Sequence, residues 1–164
     1  MEGKNLQNYE NPTYLVVKET KNGNGVFTEK DFKANEIILK MKGKIISLEE
    51  ETTLNEHSKA NTCRFSKTTY LSPEGLGDFI NHSCNPNAYC KSNNGLYILA
   101  IDDISKGHEI LIDYSTIMAD DDEWTMKCNC GSINCRKIIK KFITLEKDLQ
   151  NKYIKMGIVP DYIT

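Results

Sequence analysis

The chain has 164 residues, with 21 Lys and Arg against 23 Asp and Glu and a formal net charge of −2. That length suits one domain with a sizeable core, and the even charge argues against a protein that coats nucleic acid with a broad basic surface. No apolar run reaches the length of a membrane span, and the opening MEGKNLQNYENP lacks the apolar stretch of a secretory signal, so a soluble intracellular protein without membrane or direct nucleic-acid contacts is expected.

Residues 1–12 are polar and read as a flexible N-terminus that ends at Pro12. Residues 14–18 (YLVVK) are rich in β-branched side chains and predict a strand. Asn22-Gly23-Asn24-Gly25 predicts a turn, after which Val26 and Phe27 resume strand character. Two further strands are expected over 37–41 and 44–46. Ser47 with Glu50 fits a capping box, so one short helix is expected over 48–56.

Residues 63–71 again favour a strand, whereas 81–87 (NHSCNPN) are too dense in turn formers for a regular element. Short buried strands are expected over 96–101 and 109–112 around a Ser105-Lys106-Gly107 turn. Residues 115–126 read as a loop, and its acidic run 120–123 reads as solvated, with attraction of a basic partner segment as the alternative. A helix is expected over 144–156, where Leu145, Leu149 and Tyr153 recur every four residues and Gly157 supplies the stop. Many short strands with frequent turns predict a mainly β fold.

Six cysteines are present, and without a secretory signal metal binding is a stronger reading for them than a disulfide framework. Cys128, Cys130 and Cys135 stand in C-x-C-x4-C spacing, and three thiolates so placed can converge on one ion. Structural zinc takes a closed tetrahedron of such soft donors. The spacing leaves the fourth donor open among Cys63, Cys84 and Cys90.

Four segments together resemble the SET-domain protein lysine methyltransferases. Residues 81–87 match the family's NHSCxPN signature, and 104–114 (ISKGHEILIDY) resemble its IxxGEELxxDY segment. Residues 22–27 (NGNGVF) are similar to KGxGVF, and 128–136 (CNCGSINCR) to the post-SET zinc motif. All four occur in the family's order.

The resemblance implies small β-sheets wrapped around a pseudoknot, with a post-SET zinc module and a C-terminal helix. It divides the chain into a SET domain over 13–115, an acidic loop over 116–127, and the zinc motif with the helix over 128–164. It implies one structural zinc held by Cys84, Cys128, Cys130 and Cys135. It places S-adenosylmethionine against Gly23, Asn24, Gly25, Arg64, Phe65, Asn81 and His82. Tyr114 is implied at the methyl-transfer pore, which the substrate lysine enters from the opposite face. The implied partner is a protein with an exposed lysine, a histone tail being the first candidate, and the implied setting is nuclear or chromatin-associated.

Tyr114 is expected to hold the amine and assist electrostatically, because a phenol of ordinary pKa is neutral at pH 7 and a poor proton acceptor. Asn85-Pro86-Asn87 is expected to fix the crossing turn, and Asp113 to pin backbone beside Tyr114. Trp124 is expected either to pack onto the zinc module or to flank the substrate groove. The chain also departs from the family. Met41 stands where many members carry tyrosine, Ile112 where many carry Phe or Tyr, and His108 replaces a usual Glu. The first two changes predict room for more than one methyl group, unless Tyr70 or Tyr89 reaches the pocket. The alternative reading is a SET fold that binds without turnover.

Overall fold

The computed structural model describes residues 9–163, the side chain of His57 excepted. Residues 1–8 of the expected flexible N-terminus lie outside the described residues. Residues 9–12 are tied to the body: Glu10 pairs with Lys40 at 2.7 Å and Lys42 at 3.4 Å, and Pro12 is buried.

The strands run in chain order as β1 (Leu15–Thr20), β2 (Gly23–Thr28), β3 (Ile37–Lys40) and β4 (Lys42–Ser47). Two short helices follow, α1 (Leu48–Thr52) and α2 (Glu56–Ala60). Then come β5 (Cys63–Arg64), β6 (Thr69–Glu74), β7 (Asn81–His82), β8 (Ala88–Ser92), β9 (Leu96–Ala100) and β10 (Leu111–Ile112). The last elements are β11 (Met126–Lys127), β12 (Ile138–Ile139) and α3 (Lys147–Met156). The architecture is mainly β with a C-terminal helix, as expected. No helix among the described residues is long and apolar enough to cross a membrane.

The strands form small sheets: β1–β2, β3–β9–β8, β4–β6–β5, β7–β10 and β11–β12. Among the described residues only β7–β10 is parallel, with Asn81 opposite Leu111 and His82 opposite Ile112. The main core lies between the sheets and includes Phe32, Ile38, Leu39, Leu96, Ile98 and Ile110. Each fully buried Leu or Ile stabilises by about 1.5–3 kcal/mol relative to exposure. A second cluster packs Tyr89, Tyr97 and Leu99 against Phe142, Leu145 and Tyr153, which docks α3.

Several expected elements differ in detail. The turn of the first hairpin is Lys21-Asn22, because Thr20 pairs with Gly23, and Gly23 to Gly25 belong to β2. Gly23 closes that turn at φ 99°, a left-handed conformation that suits glycine. The single helix expected over 48–56 is two helices. The capping box starts α1 as expected, but Thr52 and Thr53 hydroxyls bond back to the carbonyls of Glu49 and Glu50. Asn55 then accepts from the Ser58 N–H and caps α2.

The strand expected over 63–71 is broken by the polar Ser66-Lys67-Thr68 turn into β5 and β6, which pair with each other. Asn81 and His82 form β7, although 81–87 read as irregular: two residues need only a parallel partner, and β10 supplies it. The strand β8 was not expected, because its buried Ala88, Tyr89 and Cys90 show no alternation with polar residues. The helix begins at Lys147, not at residue 144, after a 3-10 turn over Phe142–Thr144, and Gly157 ends it at φ 67°. The expected loop 115–126 opens with a 3-10 turn, Tyr114–Ile117, whose Ser115, Thr116 and Ile117 are buried.

Candidate active site and sulfur cluster

The crossing of β7 and β10 positions the site. Asn87 fastens it: its Nδ2 donates to the Glu109 carbonyl at 2.8 Å, and its Oδ1 accepts from the Leu111 N–H at 2.8 Å. The Ser83 N–H donates to the Ile112 carbonyl at 2.9 Å. Tyr114 follows this crossing directly, and its hydroxyl donates to the Ile80 carbonyl at 2.7 Å. Burial pushes the Tyr114 phenol well above its ordinary range, and the Cys63 and Cys90 thiols and the Asp78 and Glu109 carboxylates add to the shift. The phenol is therefore neutral at pH 7. With its proton on Ile80, its oxygen keeps lone pairs for another donor.

Tyr114 lines a cavity of about 410 Å³ together with Met41, Tyr70, Ile80, Ile112 and Trp124. Met41 and Ile112, two of the three positions read from the sequence as departures from the family pattern, thus line the same space. Tyr70 reaches this cavity, but its hydroxyl is engaged by Asp122. Tyr89 is elsewhere, in the α3 cluster, with its hydroxyl on Asn35 at 3.4 Å. Trp124 sits 6.4 Å from the Tyr114 ring and also packs on the cysteine cluster, so it joins the two.

The acidic run is not simply solvated. Asp122 is half-buried with its side chain only 8% exposed, and it accepts from Tyr70, from Arg64 at 3.3 Å and from the Ala119 N–H at 2.5 Å. Asp121 accepts from Arg64 at 2.9 Å. The buried Arg64 thus straps residues 119–122 against the cavity.

The hairpin and the crossing meet at Asn81, whose Nδ2 donates to the Asn24 carbonyl at 3.0 Å and to Glu109 Oε1 at 2.8 Å. Gly23, Asn24, Gly25, Asn81 and His82 therefore share one region. At its outer end the hairpin turn meets the cysteine loop, since a Cβ at Gly131 would stand 2.6 Å from Lys21 Nζ. Arg64 and Phe65 do not share the hydrogen bonding of this region. The Arg64 guanidinium is committed to Tyr70, Asp121, Asp122 and the carbonyls of Ser66 and Lys67. Phe65 is half-buried against the main core.

Of the three candidates for a fourth sulfur, Cys84 stands by Cys128, Sγ to Sγ 3.8 Å, while Cys63 and Cys90 lie in the main core. His82, Cys84, Cys128 and Cys130 bring ligand atoms within 4.8 Å of one another. Cys135 stands beside this set, its Sγ 3.7 Å from the Cys128 carbonyl.

His82 is a poor ligand here. Its Nδ1 accepts from the Tyr114 N–H at 3.1 Å, so a neutral ring must carry its proton on Nε2, which faces Cys84 Sγ at 3.3 Å. Binding a metal through Nε2 would require the imidazolate. Burial holds the His82 pKa down at about 4; Asp113 pulls the other way and Arg136 adds to the lowering. The ring is thus a donor to the Cys84 sulfur.

The four sulfurs left are soft donors of the kind that close a structural zinc site. The Cys84 sulfur also accepts from the Arg136 N–H at 3.4 Å. Burial raises Cys128, reinforced by the thiols around it. At Cys130 burial also opposes ionisation, but bonds from Ser132 and its neighbours outweigh it and lower that thiol to about 5.

Behind Tyr114 lies a buried hub that sequence reading only partly reached. Asp113 accepts from Arg136 at 2.7 and 2.6 Å, from the Tyr153 hydroxyl at 3.1 Å and from the Ser115 N–H at 3.0 Å. Its expected pinning of backbone is the last of these bonds. Arg136 and Tyr153 were missed: Arg136 was visible as the last residue of CNCGSINCR, but Tyr153 read only as a helix core position. Glu109 was also missed, although it stands inside the EILIDY run.

Comparisons with known proteins bear on the family and the fold. Residues 23–115 match the SET domain family. The chain is 31% identical over 156 residues to an H3 lysine-36 specific histone-lysine N-methyltransferase of Candida albicans, covering 81% of this chain and 18% of that protein. It is 26% identical over 136 residues to the histone-lysine N-methyltransferase ASHH3 of Arabidopsis thaliana, covering 74% of this chain and 37% of that one. Among solved structures, a humanized mutant of the Chaetomium thermophilum Polycomb Repressive Complex 2 shares the fold with a TM-score of 0.55 at 22% identity, over 63% of this chain and 15% of that one. The chain belongs to the SET-domain family.

Proposed function

We propose that this chain transfers methyl groups from S-adenosylmethionine to lysine side chains of a protein, with a histone tail as the first candidate. The observation that carries this is Tyr114, its hydroxyl anchored on the Ile80 carbonyl at the wall of a cavity and directly after the β7–β10 crossing. The relatives' names supply the substrate class. The cavity's acidic lining, which includes Glu51, Asp78 and Glu123, favours a substrate with basic residues around its target lysine. In this reading the protein works in the nucleus on chromatin.

When bound, the cofactor supplies an electrophilic methyl on a sulfonium. The substrate amine must arrive neutral, yet near pH 7 only about one free lysine in 2,500 is. Ile80, Ile112 and Met41 give the cavity apolar walls, which favour the neutral amine by desolvation. The Tyr114 oxygen and the Ile80 carbonyl are two acceptors for amine N–H groups. Held there, the amine presents its lone pair to the methyl, and such positioning lowers the barrier by about several kcal/mol.

Gly23, Asn24, Gly25, Asn81 and His82 form the cofactor side, with Arg64 and Phe65 contributing through the strap and core. One structural zinc sits among Cys84, Cys128, Cys130 and Cys135, with the His82 Nε2–H supporting the Cys84 thiolate. The SET domain then spans 13–115, the acidic segment 116–127, and the zinc motif with its helix 128–164.

The test is incubation with cofactor labelled in its methyl group and a proteome extract, with labelled sites identified by mass spectrometry. Label on lysine is expected. Tight cofactor binding without any label transfer would instead establish the non-catalytic alternative.

A further inference from the structure

A carboxylate with no countercharge among the described residues stands where the hairpin meets the crossing. Residues 108–110 run along β2: the Thr28 N–H donates to the His108 carbonyl at 3.0 Å, and the Ile110 N–H to the Val26 carbonyl at 2.8 Å. Glu109 is bridged to Phe27 between them. Its side chain reaches back over Gly25, where any Cβ would run into Glu109 Oε1 and lie 2.9 Å from Asn81 Nδ2. Gly25 does not have a left-handed φ. Its lack of a side chain therefore serves this close approach and not a turn.

Asn81 gives the corner its direction. Its Nδ2 has two acceptors, the Asn24 carbonyl and Glu109 Oε1, so the amide orientation is fixed. Its Oδ1 is then left as an acceptor with no hydrogen-bond donor among the described residues. Glu109 likewise has no Lys, Arg or His nitrogen within 4.0 Å among the described residues. A half-buried carboxylate, an amide oxygen and a backbone carbonyl thus gather beside a glycine. Three acceptors with one uncompensated negative charge match a primary ammonium, which has three donors and one positive charge.

We infer that Glu109 holds the ammonium of the cofactor's methionyl end, directly and by aligning the Asn81 amide oxygen. The inference rests on the reading of the chain as an S-adenosylmethionine-binding protein. It makes Glu109 a binding residue for the cofactor and gives Gly25 a specific reason to be glycine.

Equilibrium binding to the full chain tests it with three probes. S-adenosylmethionine and S-adenosylhomocysteine both carry the ammonium, only the first carries the sulfonium, and methylthioadenosine carries neither. Glu109→Gln keeps the shape and the bond from Asn81 but removes the charge. It should weaken the first two probes equally, by about tenfold, as expected when a charged acceptor becomes a neutral one, and leave methylthioadenosine unchanged. Glu109→Ala also frees Asn81 and should weaken both further, with melting temperature reporting that each variant is folded.

Equal loss for all three probes would assign Glu109 a structural role and overturn the inference. Loss confined to S-adenosylmethionine would place the carboxylate at the sulfonium and overturn it as well. Unchanged binding in Glu109→Gln would do the same while sparing the proposed function. Failure of the wild-type chain to bind either cofactor form would instead defeat the proposed function, and the inference with it.

Discussion

Every residue of β9 is buried, whereas both residues of β11 are exposed and Ile133 in the cysteine loop is 99% accessible. The sheet around β9 holds its shape by apolar burial. The segment 126–139 buries Cys128 and Ile139 but little else that is apolar. It is held by clustered sulfurs, by the Arg136 pair with Asp113, and by contact of Trp124 with the cluster. A segment with so small a core needs a substitute for apolar burial, and a metal is the usual one. The difference teaches that the two regions should respond differently to the same insult, yet both end at Tyr114.

The largest expected effect is on the cysteine segment. A Cys130→Ser, Cys135→Ser double variant, or chelation of the wild type, should remove zinc and lower methylation by about 100-fold. Hydrogen exchange should then rise across β11 and β12 while β9 stays protected. Zinc stoichiometry retained in the double variant would break the comparison, because the segment would not depend on those sulfurs.

Next is the hub that joins the regions. Asp113→Ala leaves the Arg136 guanidinium without its bidentate partner and the Tyr153 hydroxyl without its acceptor. Denaturant unfolding should show a loss of about 3–5 kcal/mol, the range for removing one partner of a buried pair. A loss below ~1 kcal/mol would mean that the two regions stand independently.

A smaller and more local effect is expected at Tyr114. Tyr114→Phe should lower turnover by about tenfold or more with cofactor affinity nearly unchanged, since one hydroxyl near the reacting nitrogen acts mainly in the transition state. Equal loss of cofactor binding would show damage to the crossing instead.

The smallest change in rate, but a visible change in product, concerns the cavity wall. Met41 and Ile112 bring no hydroxyl into the cavity and Tyr70 is engaged by Asp122, so on the proposed function extended reaction should yield more than one methyl group per lysine. Ile112→Tyr should shift product toward monomethyl-lysine. Intact mass spectrometry reads both outcomes, and wild-type product that stops at one methyl group would remove the space argument.

Sequence reading reached the parts of this molecule that local chemistry dictates. The capping box at Ser47, the stop at Gly157 and the buried run of β9 follow from residue type and spacing. The resemblance of the NHSCNPN and EILIDY segments to the family implied that these two segments meet, without giving their register. What was missed depends on distant partners. The pairing of β7 needs Leu111 and Ile112 to be known as neighbours. The burial of Asp122 needs Arg64, which is remote in sequence and is committed to the strap in the structure. The hub at Asp113 joins the crossing, the cysteine loop and α3, and no spacing links these three. Glu109 was legible as a motif residue, but its place over Gly25 depends on the pairing of β2 with residues 108–110.

The central claim is that the cavity at Tyr114 methylates lysine nitrogen. The most direct measurement is release of S-adenosylhomocysteine with a histone substrate, untreated and with its lysines chemically acetylated, with product mass read in parallel. The account predicts release with the untreated substrate, matched by added methyl groups on lysine, and only background release after acetylation. Equal release from both substrates, or release without methylated lysine, would contradict it.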